Sequence, residues 1–278
     1  MFGVVPKPLW ERRMPADPRN RIPLALRCLL VEHEDGPVLI DTGLGNKESE
    51  RFRDIYGVEN AGRTGPTQLE DALKEVGFTP ADVRVVINTH LHFDHAGGNT
   101  FAEPTGAQAG EGESGRPSAC PPVRLSFPNA TYVVQAREMA FARHTNERTA
   151  ASYLPRNWEP VAAAGRWRLV DGDTEVVPGI RVLRTPGHVP HHQSVLIERG
   201  GEAACFLADL VPTTAHLPLP WIMGYDLEPL VTLESKRGIL DRAVADGWIL
   251  VFEHDPGQGV GRVQRDGKTV AFMQLDTP

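Results

Sequence analysis

Three histidines and an aspartate lie within six residues of the chain, as His90, His92, Asp94 and His95. Imidazole and carboxylate groups are ligands that zinc, iron and manganese take in proteins. His90 and His92 are two residues apart, so both can reach one ion from an extended loop. Asp94 and His95 follow where the chain turns and point to a second position. Two glycines come next, and their missing side chains let the backbone pass close by. The spacing therefore predicts a metal-binding loop.

Three further candidate ligands lie downstream, as His188, Asp209 and His254. Each of them comes at or just past the end of an apolar run that reads as a strand. A lone polar residue at such a place is usually a cap or a turn residue. Three of them in the same topological place as the first cluster favour a shared role instead, because α/β proteins build their sites at strand ends. We interpret all seven side chains as one metal-binding constellation.

Short apolar runs alternate with helical patterns along the chain. The first cluster directly follows a β-branched run at 83–88, which predicts a buried strand. The longest helical pattern covers 227–245 and places Leu230, Leu233, Leu240 and Val244 on one side. Further helices are predicted at 67–76, capped by Thr67, and at 136–144, with strands at 130–135, 166–170, 175–177, 180–185 and 248–252, and hairpins over 24–41, 194–208 and 260–273. This order predicts an α/β protein with a mixed sheet.

The composition limits the partners. A net charge of −7 disfavours nucleic acid, because phosphate binding needs a surplus of Lys and Arg. No apolar stretch approaches the ~18 residues of a transmembrane helix, so no membrane partner is expected. The three cysteines are widely spaced and form no C-x-x-C pair, which argues against a disulfide framework. We therefore expect a cytoplasmic protein that acts on a small molecule, with a homodimer left open.

Five segments of the chain resemble the metallo-β-lactamase superfamily. The H-x-H-x-D-H element is present at 90–95, the T-P-G-H element at 185–188, and the apolar strand followed by aspartate at 206–209. The I-D-T-G turn matches 40–43, and the terminal histidine matches His254. The resemblance spans about residues 24–256, which favours one domain over 1–278. A stretch low in aromatics and rich in Gly, Pro, Ala, Glu and Ser predicts a loop insertion at about 102–122.

The resemblance implies an αββα sandwich of two mixed β-sheets flanked by helices, with two divalent metal ions. The first ion would be held by His90, His92 and His188, the second by Asp94, His95 and His254, and Asp209 would bridge the two. Zinc is the first choice for such ligands, although iron and manganese share them. Asp41 would support the ligands without binding an ion, or it would simply form the turn before Gly43.

The resemblance also implies metal-dependent hydrolysis, in which a metal-bridging hydroxide cleaves an ester, lactone or phosphotriester bond. Asp94 would act as proton acceptor as well as ligand. The stretch 88–99 is most similar to acyl-homoserine lactonases and to organophosphate and aryl-ester hydrolases. A thioester hydrolase similar to glyoxalase II is an alternative. A non-heme iron oxidoreductase or a non-catalytic metal-binding module on the same fold is disfavoured, because all seven ligand types are present.

The predicted substrate pocket is apolar. Its candidate side chains are Phe93, Trp221, Met223 and Tyr225, and no Lys or Arg lies between residues 209 and 225. This composition predicts an uncharged, partly apolar substrate.

The chain departs from the lactonase pattern at Pro212, where the resemblance implies a tyrosine that assists the oxyanion. Tyr225 or His216 could replace that tyrosine, and the sequence does not decide between them. Without it, substrates with good leaving groups, such as aryl esters, should be favoured over alkyl lactones. His191 and His192 are either a hydrogen-bonded loop pair or contacts to substrate or metal.

Overall fold

Two β-sheets face each other in the computed structural model of the protein, and helices pack on their outer faces. The structure describes residues 1–103, 123–257, 259–267 and 269–275. Seven α-helices lie in these ranges: α1 (Lys7–Trp10), α2 (Glu50–Tyr56), α3 (Gln68–Glu75), α4 (Phe93–Ala96), α5 (Ala136–Arg143), α6 (Glu159–Ala163) and α7 (Pro229–Asp246). None of the described helices is long and apolar enough to cross a membrane.

Fourteen strands lie in the same ranges. They are β1 (Leu29–Val31), β2 (Val38–Ile40), β3 (Val85–Ile87), β4 (Thr100–Ala102), β5 (Val123–Leu125), β6 (Thr131–Gln135), β7 (Trp167–Val170), β8 (Thr174–Val177), β9 (Ile180–Arg184), β10 (Gln193–Arg199), β11 (Glu202–Phe206), β12 (Ile249–Val251), β13 (Val260–Asp266) and β14 (Thr269–Gln274). The first sheet has the order β1-β2-β3-β6-β7, the second runs from β14 to β8 in reverse chain order, and β4 pairs only with β5. Both large sheets mix parallel and antiparallel pairs.

The sandwich follows from the alternation of side chains along each strand. In β2, Val38 and Ile40 face the layer between the sheets, whereas Leu39 faces outward towards α3. In β11, Phe206 faces inward and Cys205 faces outward towards α7. A strand that is apolar on both faces is buried on both sides, so each central strand of the two sheets needs a covering layer. The predicted αββα architecture is therefore confirmed.

Several sequence predictions are confirmed by local structure. Thr67 and Glu70 form a capping box at the start of α3, as the predicted cap requires. The predicted strand at 24–31 is shortened to β1, because the amides of Ala25 and Arg27 leave the sheet and donate to the carbonyls of His254 and Glu253, each over 3.2 Å. The interpretation of 1–278 as one domain stays a prediction, and most of the expected insertion, 104–122, lies outside the described residues.

The predicted buried face of α7 is wrong in part. Leu230 is 77% exposed, whereas Lys236, a charged residue, is 1% exposed. Leu240 is buried as predicted. The helix begins at Pro229, ten residues before Ile239, its first residue in the hydrophobic core. Its first turn lies instead against the turn that carries His188.

The first turn of α7 packs against the turn that carries His188. The amides of Leu227 and Glu228 donate to the carbonyls of His188 and Gly187, over 3.0 and 2.9 Å. Gly187 has a φ of +134°, and a Cβ there would overlap the backbone of Thr232. Only glycine fits this close approach.

We expect Gly187→Ala to lower the free energy of unfolding by about 3 kcal/mol, because both backbone strain and overlap with α7 add to its cost. The matched control is Gly165→Ala, which has a φ of +65° but no atom near the added Cβ. The control should cost about 1 kcal/mol. Denaturant unfolding of both variants measures the difference, and equal losses would show that the close approach to α7 is unimportant.

Candidate metal centre

The seven candidate ligands all lie at or beyond strand ends on one edge of the sandwich. His90 and His92 follow β3 of the first sheet, whereas His188, Asp209 and His254 follow β9, β11 and β12 of the second. The remaining two, Asp94 and His95, lie on the single turn of α4 rather than on a loop. Both sheets therefore contribute to one site.

The first group consists of His90, His92, His188 and Asp209. One ligand atom from each lies within 4.8 Å of the others. The Nε2 atom of His188 is 3.2 Å from Nδ1 of His92 and 2.9 Å from Oδ2 of Asp209. Three nitrogens and one oxygen converging in this way are a donor set that suits a divalent transition metal.

The second group consists of Asp94, His95 and His254, whose ligand atoms also lie within 4.8 Å of one another. Oδ2 of Asp94 is 3.9 Å from Nε2 of His95 and 4.0 Å from Nε2 of His254. Asp94 is the most open of the seven ligands, with 26% of its side chain exposed. It therefore borders the space from which a substrate can approach.

Asp209 joins the two groups. Its Oδ2 atom contacts His188 of the first group, and its Oδ1 atom lies 2.9 Å from Nε2 of His254 in the second. Oδ2 is also 3.5 Å from Nε2 of His95. One carboxylate that presents an oxygen to each group can bridge two cations, so the side chains fit a binuclear metal site.

The hydrogen bonding of these side chains fits a role as metal ligands. Nε2 of His90 and of His95 are buried and have no hydrogen-bond partner in the described structure. Buried polar atoms are rarely left without a partner. Burial and the neighbouring imidazoles hold the pKa of His90 and His92 well below its ordinary value. These two rings are thus neutral at pH 7, which is the form that binds metals.

Asp209 raises the pKa of two other imidazole rings. Burial lowers the pKa of His188 and His254, but the nearby carboxylates, Asp209 foremost, together outweigh it and raise the pKa to about 10 and about 9. Burial raises the pKa of Asp209, but the surrounding imidazoles hold it well below its ordinary value. Bound cations would displace the protons on His188 and His254.

The ring nitrogen of His95 that faces away from the site lies between two carboxylates. Its Nδ1 atom is 3.0 Å from Oδ2 of Asp41 and 3.2 Å from Oε2 of Glu253. Asp41 is fully buried and also accepts hydrogen bonds from the amide and hydroxyl of Thr89, over 2.8 and 2.6 Å. Asp41 has a φ of +53°, so it both forms the turn and orients His95. Burial raises the pKa of Glu253 to about 8.

Two further carboxylates lie on the outer side of the first group and support its ligands. Oδ1 of Asp226 lies 2.9 Å from Nδ1 of His188. Glu138 on α5 accepts a hydrogen bond from the amide of Leu91 over 3.1 Å and from the hydroxyl of Tyr153 over 2.9 Å. The Tyr153 ring packs edge-on against His92, at 4.7 Å between centroids. Such contacts behind the ligands fix ring orientation and tune metal affinity.

The sequence analysis missed Asp226, Glu253 and Glu138. Glu253 directly precedes the ligand His254, and a buried acid beside a ligand is a signal that could have found it. Asp226 lies just before α7 and Glu138 lies in the first turn of α5, where an acidic residue is ordinarily attributed to the helix dipole. Nothing local in the sequence separates that role from a contact with a metal ligand.

Two of the four predicted pocket residues, Phe93 and Tyr225, lie near a group of aromatic side chains. Phe93 packs against the rings of Phe52 and Tyr56, at 5.2 and 5.8 Å between centroids. Tyr225 is 59% exposed, and partial burial together with the nearby Tyr56 and Asp94 raises the pKa of its phenol. The aromatic group of Phe52, Tyr56 and Phe93 therefore borders the Asp94 side of the centre, with Tyr225 nearby.

The other two predicted pocket residues, Trp221 and Met223, pack differently. In the described part of the chain, the ring partners of Trp221 are Phe2 and Arg13. Met223 is buried, at 4% exposure. Trp221 therefore packs with the N-terminal segment, and a role of Trp221 or Met223 in the substrate pocket stays a prediction.

The structure also locates the three other histidines that the sequence analysis considered. His216 is buried, stacks on Phe2 at 4.4 Å and lies 2.8 Å from the hydroxyl of Thr213. His192 is fully buried, and its Nδ1 atom lies 2.8 Å from the hydroxyl of Thr185. The His192 ring is 5.3 Å from that of His90, whereas His191 is partly exposed beside Phe141. His192 therefore belongs to the packing around the first group.

Comparison with known proteins gives a consistent result. The family model of the metallo-β-lactamase superfamily matches residues 22–111. An N-acyl homoserine lactonase from a Bacillus species is 31% identical over 252 residues, which cover 88% of this chain and 86% of that protein.

Two solved structures have the same architecture. One is described as a probable metal-dependent hydrolase from Staphylococcus aureus, with 30% identity, a TM-score of 0.83 and coverage of 100% of this chain and 92% of that one. The other is AidC, described as a dizinc quorum-quenching lactonase, with 20% identity, a TM-score of 0.70 and coverage of 92% and 81%. At that identity the likeness to AidC shows the fold alone. With the seven converging side chains, these relationships establish that the chain belongs to the metallo-β-lactamase superfamily, among its metal-dependent hydrolases.

Proposed function

We propose that this chain is a dizinc hydrolase of neutral esters and lactones, with N-acyl homoserine lactones among its substrates. The observation that supports it most directly is the carboxylate of Asp209 between two groups of ligand atoms. Zinc suits a set of imidazole and carboxylate donors. The lactone substrate is suggested by the Bacillus relative.

Two divalent ions bound here would lower the pKa of a shared water and polarise the substrate carbonyl. The chain's own contribution to the chemistry is the movement of a proton. Asp94 is the ligand with the most exposed carboxylate, so it can accept the proton of the attacking water. As the ester C–O bond breaks, Asp94 returns that proton to the departing oxygen. The products are an alcohol and a carboxylic acid, which releases its own proton to solvent at neutral pH; in a lactone both remain parts of one molecule.

The surroundings of Asp94 favour a neutral substrate. Phe52, Tyr56 and Phe93 offer an aromatic wall on that side. The segment 209–225 contains no Lys or Arg that could pair with an anionic group. An apolar wall gains free energy from covering acyl or aryl groups, whereas a carboxylate there would lose its hydration without a partner.

The leaving oxygen receives less help than the family resemblance implies. Pro212 has no hydroxyl, and its backbone carbonyl accepts a hydrogen bond from the amide of His254 over 2.9 Å. Tyr225 is the phenol on the aromatic side of the centre, and it is largely exposed. We therefore propose that substrates with good leaving groups, such as aryl esters, react faster than alkyl lactones.

The kind of substrate and the location of the enzyme are proposed from the sequence. We propose a small molecule as its only substrate partner and the cytoplasm as its location, since the net charge is −7 and the three cysteines do not form a disulfide pattern. A homodimer stays a prediction that sedimentation or light scattering would test.

We expect two divalent ions per chain after loading with zinc, measured by elemental analysis of the desalted protein. Bound metal should raise the free energy of unfolding by about 3 kcal/mol for each ion present at ~100 times its dissociation constant. Binding should weaken as the pH falls, because protons compete for His188 and His254. One ion or fewer per chain at saturating zinc would contradict the binuclear site.

We expect Asp94→Asn to lower kcat by roughly 10²-fold or more, because an amide cannot accept the proton. The matched control is Asp241→Asn, which removes a charge of the same type from the outer side of α7. Steady-state kinetics and metal content are measured on both variants. Nearly normal turnover by Asp94→Asn with full metal content would rule out its role in proton transfer.

We expect kcat/KM to fall in the order neutral aryl ester, N-acyl homoserine lactone, anionic β-lactam. The aryl ester should react faster than the lactone because Pro212 supplies no phenol to the leaving oxygen. The lactone should react faster than the β-lactam because no Lys or Arg lies between residues 209 and 225. If the β-lactam is hydrolysed best, the argument for a neutral substrate is wrong. If the alkyl lactone is preferred by ~100-fold, another donor stabilises the leaving oxygen.

A further inference from the structure

Lys236 is a charged side chain inside the protein. It lies on α7 and is 1% exposed, among the largest fully buried side chains of the described structure. The same face of the helix carries Ile239, Leu240 and Ala243, which pack in the hydrophobic core. Lysine is almost never fully buried unless its ammonium group has partners. The partners of this ammonium therefore show what the residue does.

All three donors of the ammonium group point to one loop. Nζ of Lys236 donates to the backbone carbonyls of His216, Pro218 and Trp221, with distances of 2.8 Å to Pro218 and 3.0 Å to Trp221. An ammonium has three N–H groups, so its donors match the three carbonyls in number. Burial lowers the pKa of Lys236 to about 7, and the charge of Asp226 opposes this effect. In its charged form the side chain has three backbone oxygens of one loop as its direct partners.

The loop held in this way begins and ends at the metal centre. We call residues 210–225 the central loop. It starts directly after Asp209, which joins the two ligand groups, and it ends directly before Asp226, which contacts His188. It includes Trp221 and Tyr225, two residues of the predicted pocket. Its position therefore affects the shape of the space beside the ions.

We propose that Lys236 is a positioning residue that sets the conformation of the central loop and, through it, the affinity for the acyl group of the substrate. The part about the substrate rests on the proposed function. The part about the loop rests on the three carbonyl contacts alone. Neither requires the lysine to touch the substrate.

The alternative is that Lys236 only fills space in the core. A methionine has a similar length and would fill that space with an apolar chain. It would leave three buried carbonyls without donors, and buried carbonyls without partners are costly. Those carbonyls can find water only if the central loop opens. The ammonium therefore selects a loop conformation that an apolar side chain cannot hold.

The test is Lys236→Met in the full-length, zinc-loaded protein. We expect KM for a long-chain N-acyl homoserine lactone to rise by ~10-fold or more, with kcat changed less and with two ions retained. Amide hydrogen exchange in 213–224 should become faster, whereas exchange in β3 and β11 stays as in the unchanged protein. The exchange measurement does not depend on any substrate.

Leu240→Ala serves as the matched control. It removes a buried side chain one turn further along α7 and destabilises the helix without taking a donor from the loop. It should lower stability while leaving KM and the exchange of 213–224 nearly unchanged at temperatures well below unfolding. If both variants behave alike, Lys236 is a packing residue and the proposal is wrong.

Two further outcomes are decisive. If the unchanged protein hydrolyses neither esters nor lactones but Lys236→Met still speeds exchange in 213–224, the proposed function fails and the role of Lys236 in the loop stands. If exchange in the loop is unchanged, that role fails whatever the activity. Should Lys236→Met not fold, Lys236→Gln retains amide donors, and the same exchange measurement, with a smaller expected increase, decides.

Discussion

The carboxylate of Asp209 is the group on which the arrangement of the site depends. It is buried among imidazoles, and its two oxygens face different histidines, His188 and His254. An ionised carboxylate in such a place is stable only with positive charge around it. Two cations bound between the groups of ligands would supply that charge. The rest of the site is a set of supports that keep the rings pointing inward.

These supports share one design, since the outward-facing nitrogen of each of several ligand rings has its own partner. Asp226 lies behind His188, Asp41 and Glu253 lie behind His95, and the carbonyl of Ala25 lies 2.8 Å from Nδ1 of His254. Partners of this kind fix which nitrogen is available to an ion. They are drawn from distant parts of the chain, so the fold as a whole sets the orientation of the rings.

The ligands could be predicted from the sequence, whereas most of their supports could not. His188 and Asp209 follow apolar runs, and residue type together with position at a strand end identifies them. Asp226 and Glu138 look like ordinary acids near helix starts, and their contacts arise only from packing between distant segments. Lys236 was missed for a different reason: it lies four residues before Leu240, on the apolar face of α7, but a lysine is ordinarily assigned to the solvent because of its charge. Its burial depends on a loop whose carbonyls have no sequence signature.

The distribution of ligands over both sheets has a consequence for how the protein acquires its metal. His90 follows a strand of the first sheet, and His254 comes near the end of the chain, after a strand of the second. Closing so long a segment has an entropic cost that early contacts do not repay. A complete set of donors therefore exists only after the two sheets have come together. Ions bound at this site would therefore link the two sheets of a nearly finished fold and would not nucleate folding.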